Sequence, residues 1–393
     1  MRSSRLASVA LAAAILAVAS WGTANAQIMI VGNDQKPHIV DGKNTAGEGG
    51  HDTLSIIDMS KPAELRMIAT IPLDNSIIGP PTNLAVTPNH ELALVANSVN
   101  AEKKPDGSYG VVSDDRLFVI NLKANPPAVV DTLHLGKRPS GMAINAAGTL
   151  ALVTNRDDGT ISVLSINGKT VKVAETVTVG DGKDNVSAVA IAPDGKRALF
   201  TKPSANKIGV LAIDGDKVTY DKHDLPVGIF PYNVAISPKG TIALTADNGN
   251  GGTSDGNVDT VSVIDLQANP IRVINHITVG DSPEGLVISP KGDLAITVEA
   301  RGSNYAKSSW FHHPSGAVTV LHIDGTTVTH AGELNVGTFP EGAVFSADGS
   351  HIYVGNFIDS DLSVLSVADG KVSDTGHPFK LPGQPASMRG GPQ

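Results

Sequence analysis

Residues 340–356 read PEGAVFSADGSHIYVGN, and the chain repeats that string in close variants. PEGLVISPKGDLAITVEA begins at 283, PYNVAISPKGTIALTADN at 231, PSGMAINAAGTLALVTN at 139 and PTNLAVTPNHELALVANS at 81. A sixth copy, VSAVAIAPDGKRALFTK from 186, lacks the leading proline. Each copy sets two short runs rich in Val, Ile, Leu and Thr around a turn containing Gly, Pro, Asn or Asp, the pattern of a β-hairpin. A third apolar run follows each hairpin, as in TISVLSI, TVSVIDL and DLSVLSV, and a fourth commonly closes on Val-Gly, as in HITVG.

Four strands per unit, with leading positions about 45–60 residues apart, predict the four-stranded antiparallel blades of a propeller. Six units are complete, and material remains at both ends. At the N-terminal end IMIVGN (28–33), TLSIIDM (53–59) and RMIATIPL (66–73) read as the second, third and fourth strands of a blade without a first. GQPASMRG (383–390) begins like the missing one. The expected fold is therefore all-β: one seven-bladed propeller over 27–393, closed by N- and C-terminal strands sharing a blade. That closure leaves no open edge between the first and last blades.

Residues 1–26 have the layout of a secretory signal: Arg2 and Arg5, an apolar run, then ANA at 24–26. The apolar run is shorter than the roughly 20 residues of a spanning helix. A periplasmic or secreted protein without membrane insertion is expected. Loss of this segment removes two arginines and no acid, taking the net charge from −9 to −11. An acidic chain without a basic run is poorly suited to nucleic acid. The absence of cysteine excludes disulfides, thiolate metal sites and covalent c-type haem.

At these repeats the chain resembles the YVTN-type β-propeller proteins. Their repeat runs approximately P-x-G-hydrophobic-A-hydrophobic-S-P-D-G, then a Tyr-Val-x-Asn-like strand, then a Ser-Val-Ile-Asp-like strand. HIYVGN followed by DLSVLSV is a near copy, and the likeness extends over residues 27–390. It implies a propeller, and it implies relatives as varied as surface-layer proteins, periplasmic binding proteins, lactonase-like hydrolases and propeller parts of redox enzymes. It carries no catalytic residue onto a position of this chain, and fold alone does not choose a function.

In such a blade the loop between strands two and three shares a face with the crossing to the next blade. Four long insertions, 34–52, 98–115, 248–259 and 300–316, all occupy two-to-three loops and so are expected to crowd one face, the usual place for a binding site. The last of them, RGSNYAKSSWFHHPSG at 301–316, holds Tyr305, Trp310 and Phe311 beside His312 and His313. These aromatics either wall a ligand or protein site or pin the loop to its scaffold. The crossings bring Asn83, Ser140, Asn185, Asn233, Glu284 and Glu341 to the channel mouth, with Tyr232 alongside. Such oxygens either solvate the channel or hold a divalent cation such as Ca2+. A second cation candidate is DGNVD, with Asp255, Asn257 and Asp259 at alternate positions; Arg156, in the turn NRDDG, is a candidate for an anionic ligand.

The sequence favours a module that binds a small molecule or a protein through the elaborated face. Its alternatives are a lactonase-like or other hydrolase using a divalent cation at the channel mouth, and an accessory subunit of a periplasmic redox system.

Overall fold

A computed structural model describes residues 27–391 apart from 41, 77 and 78, so the export signal expected at 1–26 lies outside it. Among the described residues the regular structure is β-strand and two short 3-10 turns, at Gly182–Asp184 and Pro203–Ala205. Seven four-stranded antiparallel blades are present, two of them with a split outer strand.

The closing blade is assembled as the sequence predicts. Pro385–Arg389 pairs with Ile28–Asn33, which pairs with Thr53–Asp58, which pairs with Arg66–Pro72. Its register sets Val31 opposite Met388 and Ile30 opposite Arg389. First strands touch in succession around the ring: Leu84–Val86, Pro139–Ile144, Val189–Ile191, Pro231–Ile236, Pro283–Ile288, Pro340–Phe345 and Pro385–Arg389, which returns to Leu84–Val86. The Tyr353 hydroxyl donates to Pro62 O at 2.9 Å and fastens the last complete blade to the closing one.

Burial explains the composition of each strand. Second strands such as Leu92–Ala96 and Leu150–Asn155 are buried on both faces, between neighbouring blades, and read as continuous apolar runs. An outer strand such as Arg66–Pro72 alternates exposed and half-buried residues. Between the blades that begin at Pro231 and Pro283, Ile242, Leu244, Val261 and Val263 pack with Leu286 and Ile288.

The asparagine that ends several second strands is a structural fastener. The Nδ2 groups of Asn33, Asn155 and Asn356 each donate at 2.9 Å to a serine hydroxyl of strand three, Ser55, Ser162 and Ser363 respectively. Asp247 takes that place in its own blade and accepts from Ser262 Oγ at 2.6 Å.

The four insertions do meet on one face, and two of them are more than loops. Residues Pro37–Val40 and Lys43–Ala46 form one hairpin, Val99–Lys103 and Tyr109–Ser113 another, and the two join at Ala46 and Tyr109 into an additional four-stranded sheet. Gly42 N donates to Asn304 O at 2.8 Å, and Gly302 N to Ser254 Oγ at 2.8 Å. These bonds link the first insertion to the fourth, and the fourth to the third.

Candidate functional site

The geometry of the channel mouth begins with the residue after each leading proline. In repeat register this position is Thr82, Ser140, Ser187, Tyr232, Glu284, Glu341 and Ala386. The next position packs against the following blade, because successive strand residues point to opposite sides. Gly141 N donates to Ser187 O at 2.7 Å, and Asn233 Nδ2 donates to Glu284 O at 3.1 Å. A Cβ at Gly285 would lie 2.5 Å from Glu341 O. Glycine there lets the two glutamate-bearing strands approach closely.

The positions expected for three residues are corrected by this register. Asn83 and Asn233 tie backbone instead of facing the axis: Asn83 Nδ2 donates to Ala96 O at 2.7 Å, and Asn233 Oδ1 accepts from Val234 N at 2.9 Å. Asn185 stands outside the cluster, donating to Ser204 Oγ at 2.7 Å. Ser187 takes its place, and aligning the proline-less repeat on Val189 would have found it.

Glu284 and Glu341, from adjacent blades, hydrogen-bond through their carboxyl groups. Burial pushes Glu284 up to about 7, partly offset by its bond to Glu341. Burial, then the charge and hydrogen bond of Glu284, hold Glu341 well above the usual carboxylate range, with Asp34 adding to the effect. Two like groups this close resist ionising together, so the pair retains at least one proton over the neutral range.

Tyr232 is 8% exposed and stacks on Phe230 at a centroid distance of 6.0 Å. Burial and the two glutamates hold its hydroxyl protonated, while a hydrogen bond with Arg156 acts in the opposite direction. Arg156 Nη1 also donates to Ser187 Oγ at 3.0 Å. An acid pair, a guanidinium and a phenol from four blades thus share one enclosed site. A chain of charges leads outward from it: Asp34 bonds to Ser76 and lies 3.7 Å from Lys36, which pairs with Asp52. Beyond these, Arg116 meets Asp74 at 3.0 Å beside an open groove lined by Glu48, Lys103 and Tyr109.

The other candidate residues sit nearer the rim. Tyr305 and Trp310 meet Phe311 edge-on, at centroid distances of 4.9 and 5.5 Å, and Trp310 is 79% exposed. Tyr305 lies against Gly42 of the first insertion, and Trp310 and Phe311 lie against Gly256 of the third. His312 N closes a turn on Ser309 O, and His313 Nδ1 is 3.5 Å from Arg301.

Asp255 and Asp259 are held by backbone N–H groups, Asp255 within its own loop and Asp259 from the following crossing. Asp255 Oδ1 accepts from Asn257 N at 2.9 Å, and Asp259 Oδ2 accepts from Ser282 N at 2.8 Å. Burial raises Asp259 to about 7, with the neighbouring acids Asp281, Asp255 and Asp247 adding to the rise. Among the described residues no group of three or more His, Asp or Glu side chains is arranged to hold a metal ion.

Solved structures share this architecture. A candidate 6-phosphogluconolactonase from Bacteroides fragilis matches with a TM-score of 0.68 at 16% identity, covering 94% of this chain and 99% of the other. A periplasmic gluconolactonase from Pseudomonas aeruginosa matches with a TM-score of 0.64 at 16% identity, covering 93% and 99%. The hydrazine synthase of Kuenenia stuttgartiensis matches with a TM-score of 0.56 at 18% identity, covering 75% and 78%. The chain has the fold of the lactonase-like propellers. No protein-family model and no curated protein sequence matches it.

Proposed function

We propose that this protein is a lactonase-like hydrolase that opens a small lactone or ester at the channel mouth. The observation that carries the reading is the shared-proton pair of Glu284 and Glu341 beside Arg156 and Tyr232. Carboxyl groups held at different protonation states can act as base and acid in one reaction. Ionised Glu284 takes a proton from water as its oxygen attacks the carbonyl carbon. Arg156 and Tyr232 stabilise the oxyanion that forms, by charge and by hydrogen bonding. The ring C–O bond then breaks, Glu341 gives its proton to the departing oxygen, and the proton on Glu284 returns to Glu341 along their mutual hydrogen bond. No step needs a cation, which was one of the two roles the sequence left open for these oxygens.

The lactonase-like neighbours support this reading over a purely binding role. The repeats favour membership of the YVTN-type propellers, and the segment at 1–26, together with the periplasmic neighbour, favours export. No helix among the described residues is long and apolar enough to cross a membrane. The exposed Trp310 favours a recognition role for the aromatic insertion on the same face.

The test is turnover of simple δ-lactones followed by acid release at constant pH. Wild-type protein should hydrolyse at least one of them, and Glu284→Gln and Glu341→Gln should each abolish most of the rate. Absence of turnover across a lactone and ester panel, or full activity in both variants, would overturn the proposal.

A further inference from the structure

The opposite end of the channel holds a different chemistry. The fourth residue after each leading position is Ala85, Ala143, Ala190, Ala235, Val287 or Val344 in the six complete repeats. In the closing blade it is Arg389. Small side chains in the other blades leave room for this single long one. Arg389 reaches from the closing blade toward two others: Nε donates to Leu84 O at 3.4 Å and Nη2 to Met142 O at 3.2 Å. A guanidinium carries five N–H donors, so these contacts leave most of its hydrogen-bonding capacity unused.

Among the described residues Arg389 has no carboxylate within ion-pair distance. Enclosure by protein, with no compensating charge, lowers its pKa to about 10. Arg389 is partly buried; holding an unpaired charge away from water is costly, and an anion beside it removes much of that cost. The space for one is present: Arg389 lines a cavity of about 360 Å³. Its walls are the alanines and Val287 of the ring with Ile144, Ile191, Ile236 and Ile288, and four turn prolines, Pro88, Pro193, Pro238 and Pro290, also line it. That size lies within the usual range of small-molecule sites, which combine apolar walls with a few placed polar groups.

We propose that this cavity is a second ligand site, separate from the acid pair, that takes a small organic monocarboxylate with an apolar body. The carboxylate would meet the free edge of the Arg389 guanidinium, a geometry suited to two parallel hydrogen bonds. The hydrocarbon part would lie against the alanine, valine and isoleucine walls. A doubly charged inorganic anion is disfavoured, because one arginine neutralises one charge and the walls offer no further cation.

The experiment is calorimetric titration of the chain from residue 27 onward with octanoate, benzoate and inorganic phosphate, with melting temperature followed in parallel. Octanoate or benzoate should bind saturably at one site and raise the melting temperature, as a ligand of the folded state does. Phosphate should bind at least tenfold more weakly. Arg389→Met should weaken carboxylate binding at least tenfold. Ala235→Leu, which fills the cavity but keeps the arginine, should do the same. Melting curves of both variants report whether they fold. No saturable carboxylate binding to the wild-type chain would overturn the proposal, as would phosphate binding as tightly as octanoate or undiminished binding in a folded Arg389→Met variant.

Discussion

The carboxyl groups of Glu284 and Glu341 hydrogen-bond across the seam between adjacent blades, in a channel mouth where Glu284 is 5% exposed. Their order of ionisation sets the pH dependence of the proposed reaction. Glu284 has to be ionised to act as base, so kcat/KM should rise through pH about 7. It should fall again at higher pH as Glu341 loses its proton, giving a bell-shaped profile. Glu284→Gln should lower kcat by about 100-fold or more, the usual contribution of a positioned general base. Because no step uses a cation, chelation should leave both the rate and the melting temperature unchanged. A loss of activity in EDTA that calcium restores would refute the acid-base scheme.

Glu299 should make the fold less stable as pH rises. Burial pushes this carboxyl from 4.5 up to about 8, against the opposing hydrogen bonds of Thr297 and Thr319. Between those two pH values the folded state retains a proton that the unfolded chain has released, so unfolding free energy falls with pH. Glu284 and Asp259, both raised to about 7, have the same sign. Melting temperature should therefore drop between pH 5 and 8, and Glu299→Gln should flatten part of that slope. At pH 8 the variant should be more stable than wild type, because it has no buried carboxyl to ionise. A variant with an unchanged slope would show that Glu299 is already ionised in the fold.

Closure of the ring makes Met388 a core residue although only five residues follow it in the sequence. It is 2% exposed, pairs with Val31 and packs among Met29, Tyr353 and Leu362. Met388→Ala should cost about 2–5 kcal/mol in denaturant unfolding. Deleting 383–390 should do more, because it uncovers the edge of Ile28–Asn33. If that deletion left unfolding unchanged, the two ends would not share a blade in solution.

Trp310 offers a reporter on the elaborated face. It is the only tryptophan outside residues 1–26 and is 79% exposed. Its emission should resemble that of tryptophan in water and should shift to shorter wavelength when a substrate or partner covers the aromatic insertion. Trp310→Ala should change stability by less than about 0.5 kcal/mol, as exposed substitutions usually do. A larger loss would assign the side chain to pinning the loop.

Blade number, strand order and even the shared closing blade were legible in the sequence. Each follows from short-range alternation and turn chemistry repeated in register, as in HIYVGN and its distant echo IMIVGN. The conspicuous Asn of that echo was legible as a pattern, yet its work is to hold a strand-three serine. The channel mouth was legible in part. Glu284, Glu341, Tyr232 and Arg156 could each be singled out, whereas Asn83 and Asn233 misled, because one residue along a strand reverses the side it faces, and Asn185 misled because the repeat without a leading proline aligns on Ser187 instead.

The sequence by itself determined the ring, because every blade is specified by its own local pattern. Only the tertiary structure decided what the ring encloses. It set two glutamates 57 residues apart against each other, joined two insertions into a sheet of their own, and placed Arg389 among the small residues of the other blades. The physical reason is that strand pairing is read from neighbours in sequence, whereas the protonation of a carboxyl or the isolation of an arginine depends on charges and burial contributed by other blades.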